Sequence, residues 1–148
     1  MKNIIFVCCL FSTLTTLRAQ DTLSVKVGIF FAPQALINLK DPSQGSATIT
    51  PVSLCLSFAK GSSVVNAMYN LTYNKVQLVY WHELVGPTGL YAVINKGVFS
   101  KGGYASLGVT RSVAAGRAVG FFEVGSNWHE WTPTVYFGAI IPLMFQVK

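Results

Sequence analysis

The chain has 148 residues, a formal net charge of +6 and only 11% charged residues, where soluble domains carry about 25%. The basic residues are never adjacent, which excludes a nucleic-acid-binding patch, and their mild excess suits a surface close to anionic lipid. The length suits one domain.

The first 19 residues read as a cleaved signal peptide. Lys2 supplies a positive start, Ile4 to Leu17 is mostly apolar, and Leu17-Arg18-Ala19 ends on a small residue. Ser12, Thr13, Thr15 and Thr16 break the apolar run short of the ~20 residues that a membrane helix needs. Cleavage would remove Cys8 and Cys9 and leave Cys55 alone, so no internal disulfide is expected. Without Lys2 and Arg18, nine basic residues remain against five acidic ones. Residues 20–148 are expected to form one β-domain.

From there the chain alternates with the two-residue period of strands. Ser24–Phe31 sets Val25, Val27, Ile29 and Phe31 against Ser24, Lys26, Gly28 and Phe30. Ala32 to Ser46, with Pro33, Pro42 and Gly45, reads as a loop. The second strand opposes Val52, Leu54, Leu56 and Phe58 to Ser53, Cys55, Ser57 and Ala59. After a turn at Lys60–Ser63, the third opposes Val65, Ala67, Tyr69 and Leu71 to Asn66, Met68, Asn70 and Thr72. Tyr73–Lys75 is the next turn. The fourth strand places Val76, Leu78, Tyr80, His82 and Leu84 opposite Gln77, Val79, Trp81 and Glu83. Val85–Gly89 turns the chain into a fifth strand, Leu90–Asn95, and Lys96–Gly103 is a loop. Tyr104–Thr110 is the sixth strand, Arg111–Arg117 a connection and Ala118–Val124 the seventh. Gly125–Pro133 is a loop containing Asn127-Trp128-His129-Glu130-Trp131.

The last strand is the most informative. From Thr134 to Val147 the odd positions are all apolar, while the even ones are Thr134, Tyr136, Gly138, Ile140, Pro142, Met144 and Gln146. Its length of 14 residues exceeds the roughly 5–6 of soluble strands and the about 9–11 that cross a bilayer at a tilt. An unbroken apolar face of that length calls for an apolar medium beside it. A transmembrane helix over Trp131–Val147 is the rival, but Pro133, Gly138, Pro142 and the alternation itself oppose it. The expectation is an all-β, antiparallel, up-and-down transmembrane barrel of eight strands. Closure leaves no unpaired edge, which lipid would not tolerate, and so small a barrel is expected to fill its lumen with side chains.

With its signal peptide, its alternating segments and its aromatic-rich end from Tyr136 to Phe145, the chain resembles the small outer-membrane β-barrel proteins of Gram-negative bacteria. That resemblance implies residence in the outer membrane, with its lipid and assembly machinery as partners. Such proteins usually end on Phe or Trp, whereas here Gln146, Val147 and Lys148 follow Phe145. An even strand number puts both termini on the periplasmic side, with Ala32–Ser46, Lys96–Gly103 and Gly125–Pro133 outside.

No catalytic, cofactor or metal site is expected. Trp-His-Glu occurs at 81–83 and again at 128–130, but His82 and Glu83 point to opposite faces of a regular strand. Trp81, Trp128, Trp131 and Tyr136 are expected as interfacial aromatics. Lys26, Glu83 and Glu123 fall on mixed faces. A lipid-facing charge costs about 2–4 kcal/mol at mid-bilayer, so these three are expected to turn inward as a polar network. Asn66, Asn70, Gln77 and Ser106 are further possible members. The function expected is a non-enzymatic structural or interaction scaffold. Its main alternative is a soluble, exported, lipocalin-like barrel that binds a small apolar ligand. A lesser one is a lipid-modifying outer-membrane enzyme drawing on Ser126, His129 and Glu130.

Overall fold

The computed structural model describes residues 23–48, 52–99, 102–113 and 117–147; the expected signal peptide, 1–19, lies outside them. Ten segments form one antiparallel sheet: β1 Ser24–Phe31, β2 Gln34–Asn38, β3 Ser46–Thr48, β4 Val52–Lys60, β5 Ser63–Asn70, β6 Lys75–Val85, β7 Thr88–Gly97, β8 Gly103–Val113, β9 Ala118–Asn127 and β10 Pro133–Gln146. The order runs β1-β4-β5-β6-β7-β8-β9-β10, and a further β1–β10 pairing closes the ring. The result is an eight-stranded antiparallel barrel, as the alternation predicts.

The loop expected at Ala32–Ser46 is mostly strand. β2 continues β1 against β10 in an unchanged register, from Lys26↔Gln146 through Phe31↔Ile141 to Gln34↔Gly138 and Asn38↔Thr134. Pro33 breaks the strand for only two residues because it lacks the amide the ladder would use. Its carbonyl still accepts from Ala139 N at 3.1 Å. β3 pairs with β2 alone, so this hairpin stands beyond the rim of the adjoining β5. Asp41 closes the 39–45 loop by accepting from Ser43 and Gln44, and the Ser43 hydroxyl holds its carboxyl below the usual range.

Other connections are also shorter than expected. β7 starts at Thr88, β8 runs to Val113 and β9 to Asn127, so the expected loops at Arg111–Arg117 and Gly125–Pro133 lose residues to their flanking strands. Cross-strand pairing carried the ladders past the polar residues that look like loop in isolation. Two-residue turns at Gly61-Ser62 and Gly86-Pro87 each use a left-handed glycine, with φ of 56° at both. They lie at the end of the barrel where β1 and β10 bring the chain ends together, Val147 N donating to Val25 O at 3.0 Å. The opposite end carries 39–45, 71–74 and 128–132, with Val98 and Phe99 after β7 (the loop end). The 71–74 turn is short but well tied: Tyr73 N donates to Asn70 Oδ1 and the Tyr69 hydroxyl to Asn74 Oδ1, both at 2.9 Å.

Candidate functional site

Every mixed face read from the sequence points into the lumen. Ser53, Cys55 and Ser57 of β4, Asn70 of β5, Ser106 and Thr110 of β8 and Glu123 of β9 are all buried there. The opposite positions form an outer belt of exposed apolar side chains, including Leu54, Leu78, Leu90, Leu107, Phe122, Phe137 and Leu143. The arrangement is inverted relative to a water-soluble core. Among the described residues the buried set holds eight polar or charged residues against five apolar ones.

The lumen is not filled by side chains, contrary to expectation. It holds a cavity of about 850 Å³ that runs from Tyr73, Lys75 and Asn95 at the loop end to Glu83, Gly86 and Pro87 at the turn end. The reason is a repeated pairing of aromatic rings with glycines one strand further on. A Cβ at Gly89 would strike the Trp81 indole, and one at Gly108 would stand 2.5 Å from the Tyr91 ring. One at Gly125 would strike the Tyr104 hydroxyl, and one at Gly138 would come within 3.1 Å of Phe121. Four successive strands, β6 to β9, each bring a large ring against the inward glycine of the next. The rings therefore line the wall instead of plugging the axis. They also support one another: Tyr91 meets Phe121 edge-on at 6.5 Å, and Tyr104 meets Tyr136 at 5.1 Å.

Glu123 sits on this wall. Its Oε2 accepts from the Tyr91 hydroxyl at 2.8 Å in a buried hydrogen bond. The hydroxyls of Tyr104 and Ser106 turn towards the same carboxylate and interact with it, though neither meets it in good hydrogen-bond geometry. Nearby, Trp81 Nε1 donates to Thr110 Oγ1 at 2.7 Å, and that hydroxyl donates on to Gly89 O at 3.3 Å. A second, polar cavity of about 390 Å³ at the loop end shares Lys75, Asn95, Tyr104 and Tyr136 with the first and adds Gln44 and Glu130.

Lys26, Glu83 and Glu123 all lie on lumenal faces, but the structure does not bring them together. Lys26 is exposed near the chain ends, opposite Gln146, and Glu83 is exposed beside the Gly86-Pro87 turn; only Glu123 is buried. Of the further members named with them, Ser106 joins the Glu123 cluster, and Asn66 accepts from the Cys55 thiol at 3.7 Å. The rings of Trp81 and Tyr136, expected at the bilayer boundary, both line the lumen. Trp128 and Trp131 are exposed at the loop end, Trp128 lying over Gly103.

The two Trp-His-Glu copies lie at opposite ends of the barrel and cannot share a ligand. His82 faces outward, its Nδ1 at 2.9 Å from Ser63 Oγ, which is also 3.2 Å from the Tyr80 hydroxyl. Ser126 Oγ donates to Asn127 O, while His129 and Glu130 are exposed in the 128–132 turn. Among the described residues, no three His, Cys, Asp or Glu side chains are grouped to hold a metal ion.

Sequence reasoning singled out Glu123 but missed Tyr91, Tyr104 and Phe121, which build the wall around it. The signal was present as inward-parity glycines on strands that follow inward-parity aromatics. It becomes visible only once the register sets Tyr91 opposite Gly108 and Phe121 opposite Gly138. The chain matches no protein-family model, no curated protein and no solved structure.

Proposed function

We propose that the chain is an integral outer-membrane β-barrel protein, a non-enzymatic scaffold whose loop-end hairpins make its contacts with other molecules. The observation that carries this reading is the inversion of the barrel. Apolar residues such as Leu54, Leu107, Phe122 and Leu143 stay 48–69% exposed on the outside, while serines, Asn70 and Glu123 are buried. A soluble monomer seldom leaves apolar patches larger than a few hundred Å² in water. Here the apolar belt passes round every strand, and the outward-parity charges Lys60, Lys96 and Arg111 stay near strand ends. A closed antiparallel barrel is also the β-form that satisfies its backbone without water. The β2–β3 hairpin, standing beyond the rim, offers a surface for a partner at the loop end.

The soluble, lipocalin-like alternative draws on one observation, the cavity of about 850 Å³, which is within the roughly 300–1,000 Å³ of ligand sites. The outer belt weighs against it, since a soluble barrel keeps its polar residues outside. Fractionation of expressing cells separates the two readings. The outer-membrane reading requires the chain in the detergent-extracted envelope fraction, with a mobility on unheated gels that changes on boiling. A chain released in soluble form by osmotic shock would overturn it.

A further inference from the structure

A structural role explains why the lumen is polar, but not the particular grouping at Glu123. The residue is 9% exposed, and a buried carboxylate is ordinarily paired with a cation or fully hydrogen-bonded. Among the described residues no cationic side chain pairs with it, and its one hydrogen bond of good geometry comes from Tyr91. Of the two lysines with lumenal parity, Lys26 is exposed near the chain ends, and Lys75 holds its ammonium 5.4 Å from the centre of the Tyr73 ring. Tyr104 and Ser106, 8% and 7% exposed, aim two buried hydroxyls at the same spot, neither in a well-formed hydrogen bond.

We propose that the lumen binds a primary ammonium carried on an apolar body, with the ammonium seated at Glu123, Tyr104 and Ser106. A primary ammonium has three N–H donors and no acceptor. The wall offers three acceptors for them: Glu123 Oε1, Tyr104 Oη and Ser106 Oγ. The charge of the ligand would supply the counter-ion that the protein does not. The apolar body would lie along Phe121, Val93 and Ile140. The polar cavity at the loop end, which reaches Tyr104, is the entry. This site lies inside the barrel and is the same whether lipid or water surrounds it, so its failure would leave the membrane reading untouched.

Phenethylamine is a suitable probe, titrated calorimetrically into the folded chain in detergent micelles, with protein-free micelles as blank. Saturable binding to one site is expected. Phenethyl alcohol, which lacks the charge, and tetramethylammonium, which lacks the donors, should each bind more weakly by about tenfold or more. Glu123→Gln should weaken the amine by about tenfold or more, and Tyr104→Phe and Ser106→Ala by a few-fold each. Retention of the fold in each variant is checked by its heat-dependent gel mobility. If Glu123→Gln does not fold, the two hydroxyl variants decide the matter. Absence of saturable heat, an alcohol that binds as well as the amine, or parent-like affinity in the folded variants would overturn the proposal.

Discussion

Gly108 shows how far a single atom shapes the lumen. A Cβ there would stand 2.5 Å from the Tyr91 ring and 2.6 Å from Phe122 O. The ring could swing away, but the carbonyl belongs to the β8–β9 ladder at the Gly108↔Glu123 pair and cannot yield without loosening it. Gly108→Ala should therefore destabilise the barrel by about 1–3 kcal/mol, the usual cost of overpacking. Gly102→Ala, with nothing within 4 Å, should stay within about 0.5 kcal/mol of the parent. Urea unfolding in lipid vesicles checks both, and similar losses at the two sites would contradict the wall-and-glycine account. Tyr91→Phe makes a second test, because it withdraws the best-formed hydrogen bond to Glu123. The same unfolding measurement should show a loss of about 1–3 kcal/mol, the cost of leaving a buried acceptor unmet.

At the scale of an element, β10 carries the clearest contrast. Leu143 is half exposed on the outer face, whereas Gln146 is at the strand end, hydrogen-bonded to Ser24 Oγ at 3.0 Å. Leu143→Arg should block or strongly weaken assembly, by about 2–4 kcal/mol if the position is near mid-bilayer. Gln146→Arg should be tolerated. Heat-dependent gel mobility reads both, and equal tolerance would argue against a lipid-facing odd set. The same strand explains what the sequence made legible. Strict alternation from Thr134 onward defines an inner and an outer face without any neighbour, and parity alone assigned Ser53, Cys55, Ser106 and Glu123 to the lumen. The strand ends were less legible. Gln34–Asn38, next to a proline and too short to show a period of its own, becomes strand because β10 offers it a partner in register. That information belongs to a residue about a hundred positions away, so no local pattern contains it. The lumenal positions of Trp81 and Tyr136 follow from parity too, but the preference of aromatics for bilayer boundaries suggested otherwise. Gly89 gives the Trp81 ring somewhere to lie, and the Tyr136 ring packs edge-on against that of Tyr104.

At the scale of the whole molecule, an even number of strands brings the chain ends and the short turns to one end of the barrel and the longer connections to the other. With the termini in the periplasm, Ser43 of the 39–45 loop should lie outside the cell and Ser62 of the Gly61-Ser62 turn inside the envelope. A membrane-impermeant thiol reagent on whole cells should label Ser43→Cys and spare Ser62→Cys; the reverse pattern would invert the topology. The central claim is that the outer belt meets hydrocarbon, and lipid contact along β10 tests it most directly. Single cysteines at Ile141, Pro142, Leu143 and Met144, in a Cys55→Ser background, can carry a fluorophore in vesicles of brominated lipid. Strong quenching at 141 and 143 and weak quenching at 142 and 144 is the predicted result. Weak quenching at all four positions, or strong quenching only at the even ones, would contradict it.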